Sequence, residues 1–323
     1  MVSMLVNAAL GVLAQALHML LLLVAAPFVI GLIGLLKARL LGRRGPPLAQ
    51  PWRDLRRLAR KQPVLAHHAS FVFRAAPAVS LAALVAAAAL VPSFAMGMSL
   101  GPVADLLVIA GLLALARCAT ALAGLDVGTA FGGIGASRDM VFSVYAEPAL
   151  LLVIFTLAML AGSTNLDVIA ALLRDGTLGL RVSLGLALVA MLTVAVAENG
   201  RVPVDNPATH LELTMVHAAM VLEYSGRDLA LVEAGRALKL LIWLSLIGVI
   251  FLPFGVADAT DPLFWPLGAV LWTGKITILA VAVAVFETAI AKMRVFRVPE
   301  FLGVAILFGL LAAVFLFLST GIA

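Results

Sequence analysis

Eight stretches of this chain stay apolar over the roughly 20 residues that a helix needs to cross a bilayer. They cover positions 10–36, 74–95, 102–122, 141–162, 178–197, 236–256, 265–290 and 300–320. In hydrocarbon each backbone polar group must be satisfied within its own segment, so runs of this length fold as helices. The chain is 63% hydrophobic and 12% charged, whereas a soluble domain carries roughly 25% charged residues. The expected fold is all-α: a polytopic membrane protein of eight transmembrane helices, with 1–323 as a single integral membrane domain. The first run lacks a basic leader and a small-residue cleavage site, so it reads as a retained span rather than a signal peptide.

Basic residues orient such a chain, because Lys and Arg are held on the cytoplasmic side. The first connection, 37–70, holds Lys37, Arg39, Arg43, Arg44, Arg53 and further arginines, whereas the turn at 92–102 holds none. Arg138 lies in the third connection (123–140). Arg201, Arg227, Arg236 and Lys239 lie in or beside the fifth (198–235), and Lys292, Arg294 and Arg297 lie in the seventh. Odd-numbered connections are therefore expected in the cytoplasm, with both termini outside. Arg174 and Arg181 depart mildly from this pattern in the fourth. In the first connection, PWRDLRRLARKQP repeats Trp52, Leu55, Leu58 and Ala59 at helical spacing opposite a basic face. It reads as an amphipathic helix on the membrane surface. Its arginines serve topology and lipid attraction, or the docking of a soluble partner.

The net charge of +5 does not point to nucleic acid, since the basic residues sit between apolar runs, where orientation explains them. The single cysteine, Cys118, cannot form an internal disulfide or by itself ligate an iron–sulfur cluster. His210 and His217 lack the one-turn spacing of paired helical zinc ligands, so no metal site is expected in this chain. The segment AGLDVGTAFGGIGASRDM is glycine-rich and reads as a loop in which Ser137 caps the following helix. Its GGIG follows no strand and is not a nucleotide fingerprint. No phosphate loop or nucleophile elbow appears, and no catalytic residue is expected.

The acids need another explanation, because an ionisable group in or beside a bilayer costs several kcal/mol in order of magnitude. Between two apolar runs lies AENGRVPVDNPATHLELTMVHAAMVLEYSG, which contains Glu198, Asp205, Glu212 and Glu223. Pro203 and Pro207 prevent a continuous helix there, and irregular backbone at that depth must be buried or line a cavity. After Pro207 a helix can resume and end at Gly226, with Glu212 and Glu223 nearly on one face. Glu147 precedes Pro148 in the fourth run, and Glu287 lies two turns from Arg294, for pairing or for proton transfer. Asp105 and Arg117 share no helix face, so each must find its partner on another helix.

Arg43-Arg44-Gly45-Pro46-Pro47, Gly124-Leu125-Asp126, Gly135-Ala136-Ser137-Arg138 and the stretch from Glu198 to Gly226 give the chain its likeness. It resembles the complex I subunit 1 family. The quinone branch of that family starts its fifth loop with Glu-x-x-Arg-x-Pro-x-Asp, which Glu198, Arg201, Pro203 and Asp205 match. Glu212-Leu213 and Glu223-Tyr224-Ser225-Gly226 match later parts. Ala208 and His210 stand where that branch has acids, and the Glu-Tyr-Ser-Gly end comes nearly one helical turn late. PVDNPATHLELTMVHAAMVLEYSGR, RRGPPLAQPWRDL and GLDVGTAFGGIGASRD are more similar to the hydrogenase and formate hydrogenlyase branch.

That resemblance implies a membrane subunit of an energy-converting oxidoreductase in a prokaryotic inner membrane. Cytoplasmic loops bearing Arg43, Arg44, Arg53, Asp126, Arg138, Arg201 and Arg227 would dock a cluster-bearing small subunit and a catalytic large subunit. Glu147, Glu198, Asp205, Glu212, Glu223 and Glu287 would form a proton path toward antiporter-like subunits. Iron–sulfur clusters and a nickel–iron centre would belong to the partners, none to this chain, with quinone binding as the alternative. A secondary transporter would show two repeated halves with broken helices, and the sequence shows no repeat. A passive anchor would leave the carboxylates replaceable by Gln.

Overall fold

The apolar runs do become helices. The computed structural model describes residues 2–66, 68–175, 182–205 and 215–321. In order the helices are α1 (Val2–Leu40), α2 (Gln50–Ala59), α3 (Phe71–Leu90), α4 (Leu106–Asp126), α5 (Ala130–Ala161) and α6 (Leu166–Arg174). They continue with α7 (Val182–Glu198), α8 (His217–Val221), α9 (Gly226–Phe251), α10 (Trp265–Ala289) and α11 (Val298–Gly321). Among the described residues, seven helices are long and apolar enough to cross a membrane. The remaining expected span is α7, a shorter apolar helix of 17 residues. Large apolar side chains such as Leu107, Val144, Phe155, Ile278 and Phe317 face outward, as they must where lipid is the solvent. The chain is a multi-pass membrane protein.

Helix α9 is the post around which the others stand. Leu238, Leu241, Ile242, Trp243 and Ile250 are fully buried, and the part of α9 after Lys239, uncharged on every side, belongs in the interior. It packs against α1, α2 and α3, while α11 covers α5 and α7, and α10 lies along α1. At one end of the bundle the α3–α4 and α9–α10 connections pair in parallel as β1 (Ala95–Met96) and β2 (Ala257–Asp258). Helix α2 matches the expected amphipathic segment, with no fully buried residue. It leans on α1 through Trp52, whose Nε1 donates to the Val24 carbonyl over 3.2 Å.

Three expectations change. The glycine-rich stretch read as loop to position 140 is helical from Ala130, and its cap is Thr129, which accepts from Gly132 N, rather than Ser137. The helix expected to end at Gly226 is confined, among the described residues, to His217–Val221. Gly226 instead opens α9 with φ +55°, and a Cβ there would meet the Gln62 carbonyl oxygen at 2.6 Å. Only glycine combines that left-handed backbone with so close an approach. Its helix therefore begins well before position 236, where the apolar run starts, and its first turns carry Arg227 and Asp228.

Candidate functional site

Arg117, Glu147, Glu198 and Lys239 come from four helices, and none could be buried alone, since an unpaired charge in a low dielectric costs several kcal/mol. The Arg117 guanidinium on α4 donates through Nη1 to Glu198 and through Nη2 to Glu147. Lys239 Nζ on α9 lies 2.9 Å from the second oxygen of Glu198, so each oxygen of that carboxylate meets a cation. Glu198 is 6% exposed while Glu147 is 49% exposed, which makes Glu147 the outward member of the set. Pro148, inside α5, removes the backbone donor that the Val144 carbonyl would otherwise use.

A second set lies on α10, α1 and the turn after α7. Glu287, only 1% exposed, accepts from Arg201 Nη1 over 3.1 Å. Its other oxygen is 2.7 Å from Lys37 Nζ. That contact is not aligned as a hydrogen bond, yet at this distance Coulomb attraction holds the pair. Burial pushes the Arg201 guanidinium below its usual range, and Glu287 opposes the shift. A third pair sits beside them: Asp205 takes Lys292 Nζ at 3.1 Å and the Val216 N–H at 3.3 Å.

Between the first and third sets is a cavity of about 70 Å³, whose lining includes Arg117, Asp139, Glu198, Asp205, His217 and Lys239. Asp139 Oδ2 and His217 Nε2 are buried there without a hydrogen-bond partner among the described residues. Between α7, α9 and α10, an apolar groove of about 360 Å³ reaches inward to Arg201 and Glu287, past Val196, Trp243, Phe286 and Phe301.

Of the six expected proton-path acids, Glu147, Glu198, Asp205 and Glu287 enter these sets. Glu223 is exposed in the turn after α8, because the helix that would have placed it beside the others stops at Val221. Glu212 lies outside the described residues. Among the docking arginines, Arg43, Arg44, Arg53 and Arg227 are exposed. Arg138 is half-buried and donates to the Met215 carbonyl at 3.0 Å. Arg201 is buried in an ion pair rather than displayed. Asp126 is engaged within the fold, accepting from Ser70 N at 2.8 Å, Ser70 Oγ at 2.6 Å and Phe73 N at 3.3 Å at the start of α3. Glu287 does not pair with Arg294 as its spacing suggested. Asp105 caps α4 through the Leu107 N–H.

The cations were the residues that sequence reasoning undervalued. Arg117 and Lys239 interrupt apolar runs, which is a usable signal, but Lys37 and Lys292 read simply as topological charges. Asp139 lay in what read as a loop.

The NADH dehydrogenase family profile matches residues 13–318. The chain belongs to that family, the complex I subunit 1 type. This family member is 32% identical to formate hydrogenlyase subunit 4 of Escherichia coli over 290 residues, covering 90% of this chain and 94% of that one. It is 33% identical to hydrogenase-4 component C of the same organism, covering 87% of each. A subunit of the NADH-quinone oxidoreductase of Chelativorans is more distant, at 28% identity over 78% of this chain and 77% of that one. A chain from the structure of the membrane-bound sulfane sulfur reductase, an archaeal respiratory membrane complex, shares the fold. It superposes with a TM-score of 0.77 at 19% identity, covering 94% of this chain and 98% of that chain. The relatives are subunits of multisubunit membrane complexes.

Proposed function

We propose that this chain is the membrane subunit of an energy-converting oxidoreductase of the hydrogenase or formate hydrogenlyase type. In this reading its odd-numbered connections face the cytoplasm of a prokaryotic cell and seat a cluster-bearing small subunit and a catalytic large subunit. Its buried ion pairs pass protons toward antiporter-like membrane subunits. The observation that carries the reading is the Arg117 clamp, in which one cation serves two carboxylates on different helices while Lys239 holds the other oxygen of Glu198. Protonating one member of such a set changes the field on the others, so a charge change in a docked redox partner would shift where a proton sits among them. Iron–sulfur clusters and a nickel–iron centre would sit in the partners. Among the described residues of this chain, no group of three His, Cys, Asp or Glu is placed to hold a metal ion.

Mild solubilisation and affinity purification of the tagged chain from its native membrane tests this. Co-purification with subunits carrying iron and nickel is the expected outcome. Recovery of the chain alone, transporting ions in vesicles without redox partners, would contradict it.

A second reading, quinone binding, is favoured by the apolar groove that ends at Arg201 and Glu287, where an amphiphile with a polar head would fit. Quinone retained by the purified complex and lost in an Arg201→Gln variant would select it.

A further inference from the structure

The cavity among α4, α5, α7, α8 and α9 contains the molecule's clearest unmet chemistry. Buried polar atoms in native folds are almost always satisfied by protein or by ordered water. Here Asp139 Oδ2 and His217 Nε2, on different helices, both lack a partner among the described residues, and both residues line the same space. A water needs roughly 10–15 Å³ of such space, so about 70 Å³ accommodates a short chain of them. The remaining polar wall includes Arg117, Glu198, Lys239 and Asp205, which are already engaged in ion pairs. Waters in this space therefore find two free protein atoms to hold them.

Burial first, and Arg236 and Lys239 second, push the His217 imidazole down to about 3. It stays neutral at ordinary pH and offers Nε2 as one donor or one acceptor according to tautomer. His217 thus anchors water without itself carrying charge, whereas a carboxylate can do both.

We propose that this cavity is a water-filled proton compartment, in which His217 positions the water chain and Asp139 is the group that takes up and releases the proton between Asp205 and Glu198. The inference rests on the proton-coupling reading above and deepens it by naming a carrier outside the acids that the sequence singled out. An excess proton arriving on a cavity water adds to the Asp139 carboxylate and leaves that water neutral. The resulting acid returns the proton through the water chain to Glu198, which becomes neutral and loosens its hold on Arg117 and Lys239. One proton enters and leaves, and no electron moves.

The test uses the intact complex in proteoliposomes, reading protons moved per electron in Asp139→Asn, Asp139→Glu and Glu198→Gln variants. Redox-difference infrared spectra of the wild type supply a second readout. The expected result is a ratio reduced at least roughly tenfold in Asp139→Asn and largely restored in Asp139→Glu. A protonated-carboxyl band should change on reduction in the wild type and vanish in Asp139→Asn. His217→Gln should lower the ratio less and shift that band. An unchanged ratio in Asp139→Asn beside a lost one in Glu198→Gln would overturn the inference and leave the broader reading standing. Unchanged ratios in both would overturn both. Should Asp139→Asn fail to assemble, a wild-type spectrum without a redox-sensitive carboxyl band insensitive to Glu198→Gln would itself overturn the proposal.

Discussion

Arg117 is the residue on which the first ion-pair set depends, because removing it strands two carboxylates at once. With Arg117→Gln, Glu198 keeps only Lys239 and Glu147 loses its partner. Breaking a buried pair costs about 3–5 kcal/mol, so the unfolding midpoint of the purified complex should drop. An added Glu147→Gln change should restore part of the loss. His217 makes a separate statement about pH. Its pKa falls from 6.5 to about 3 in the fold, so below pH 6.5 the unfolded chain binds more protons. The stability it contributes is whole above that point and drains away as the pH falls toward 3. Between pH 7 and 5 the wild type should lose about 2 kcal/mol that a His217→Gln variant does not lose. Glu147, Glu198 and Glu287 were legible in the sequence, since a carboxylate in or beside an apolar run stands out. Their partners were not: Arg117 reaches across 81 residues to Glu198, and Arg201 across 86 to Glu287, separations that no local pattern reports.

Element by element, the apolar runs foretold the spans, because bilayer thickness fixes helix length regardless of what packs against it. The surface helix α2 was equally legible from its spacing. Boundaries failed where glycine serves packing rather than turning. Gly132 lies in α5, and a Cβ there would collide with the Gly124 carbonyl oxygen on α4. Glycine at that point permits two helices to touch, and composition alone reads it as loop. Gly226 is the opposite case, a true left-handed residue that starts a helix. Gly226→Ala combines a strained backbone with a collision against Gln62 and Pro63, and it should cost more than about 1 kcal/mol. Thermal unfolding of the purified complex would show this, while Gly133→Ala, where a Cβ meets open space, should be neutral or mildly stabilising.

At the scale of the whole molecule, the charges form two groups: exposed basic residues on the connections, such as Arg43, Arg44 and Arg53, and ion pairs where helices meet, such as Arg117 with Glu198 and Arg201 with Glu287. The first clamp and the cavity beside it involve α9, the second clamp joins α1, α10 and the turn after α7, and each clamp links elements far apart in the chain. The proposed proton coupling would run through these ion pairs, along the flanks of the buried part of α9. An inert anchor needs no such expense of desolvation. The proposed orientation, partners and cofactors rest on the family resemblance and the basic-residue pattern, and they stand or fall with the purified assembly. The most direct test of the central claim is proton translocation by the reconstituted complex carrying Glu198→Gln. With assembly and electron transfer measured alongside, protons moved per electron should fall at least roughly tenfold. Undiminished translocation through an intact Glu198→Gln complex would contradict the account.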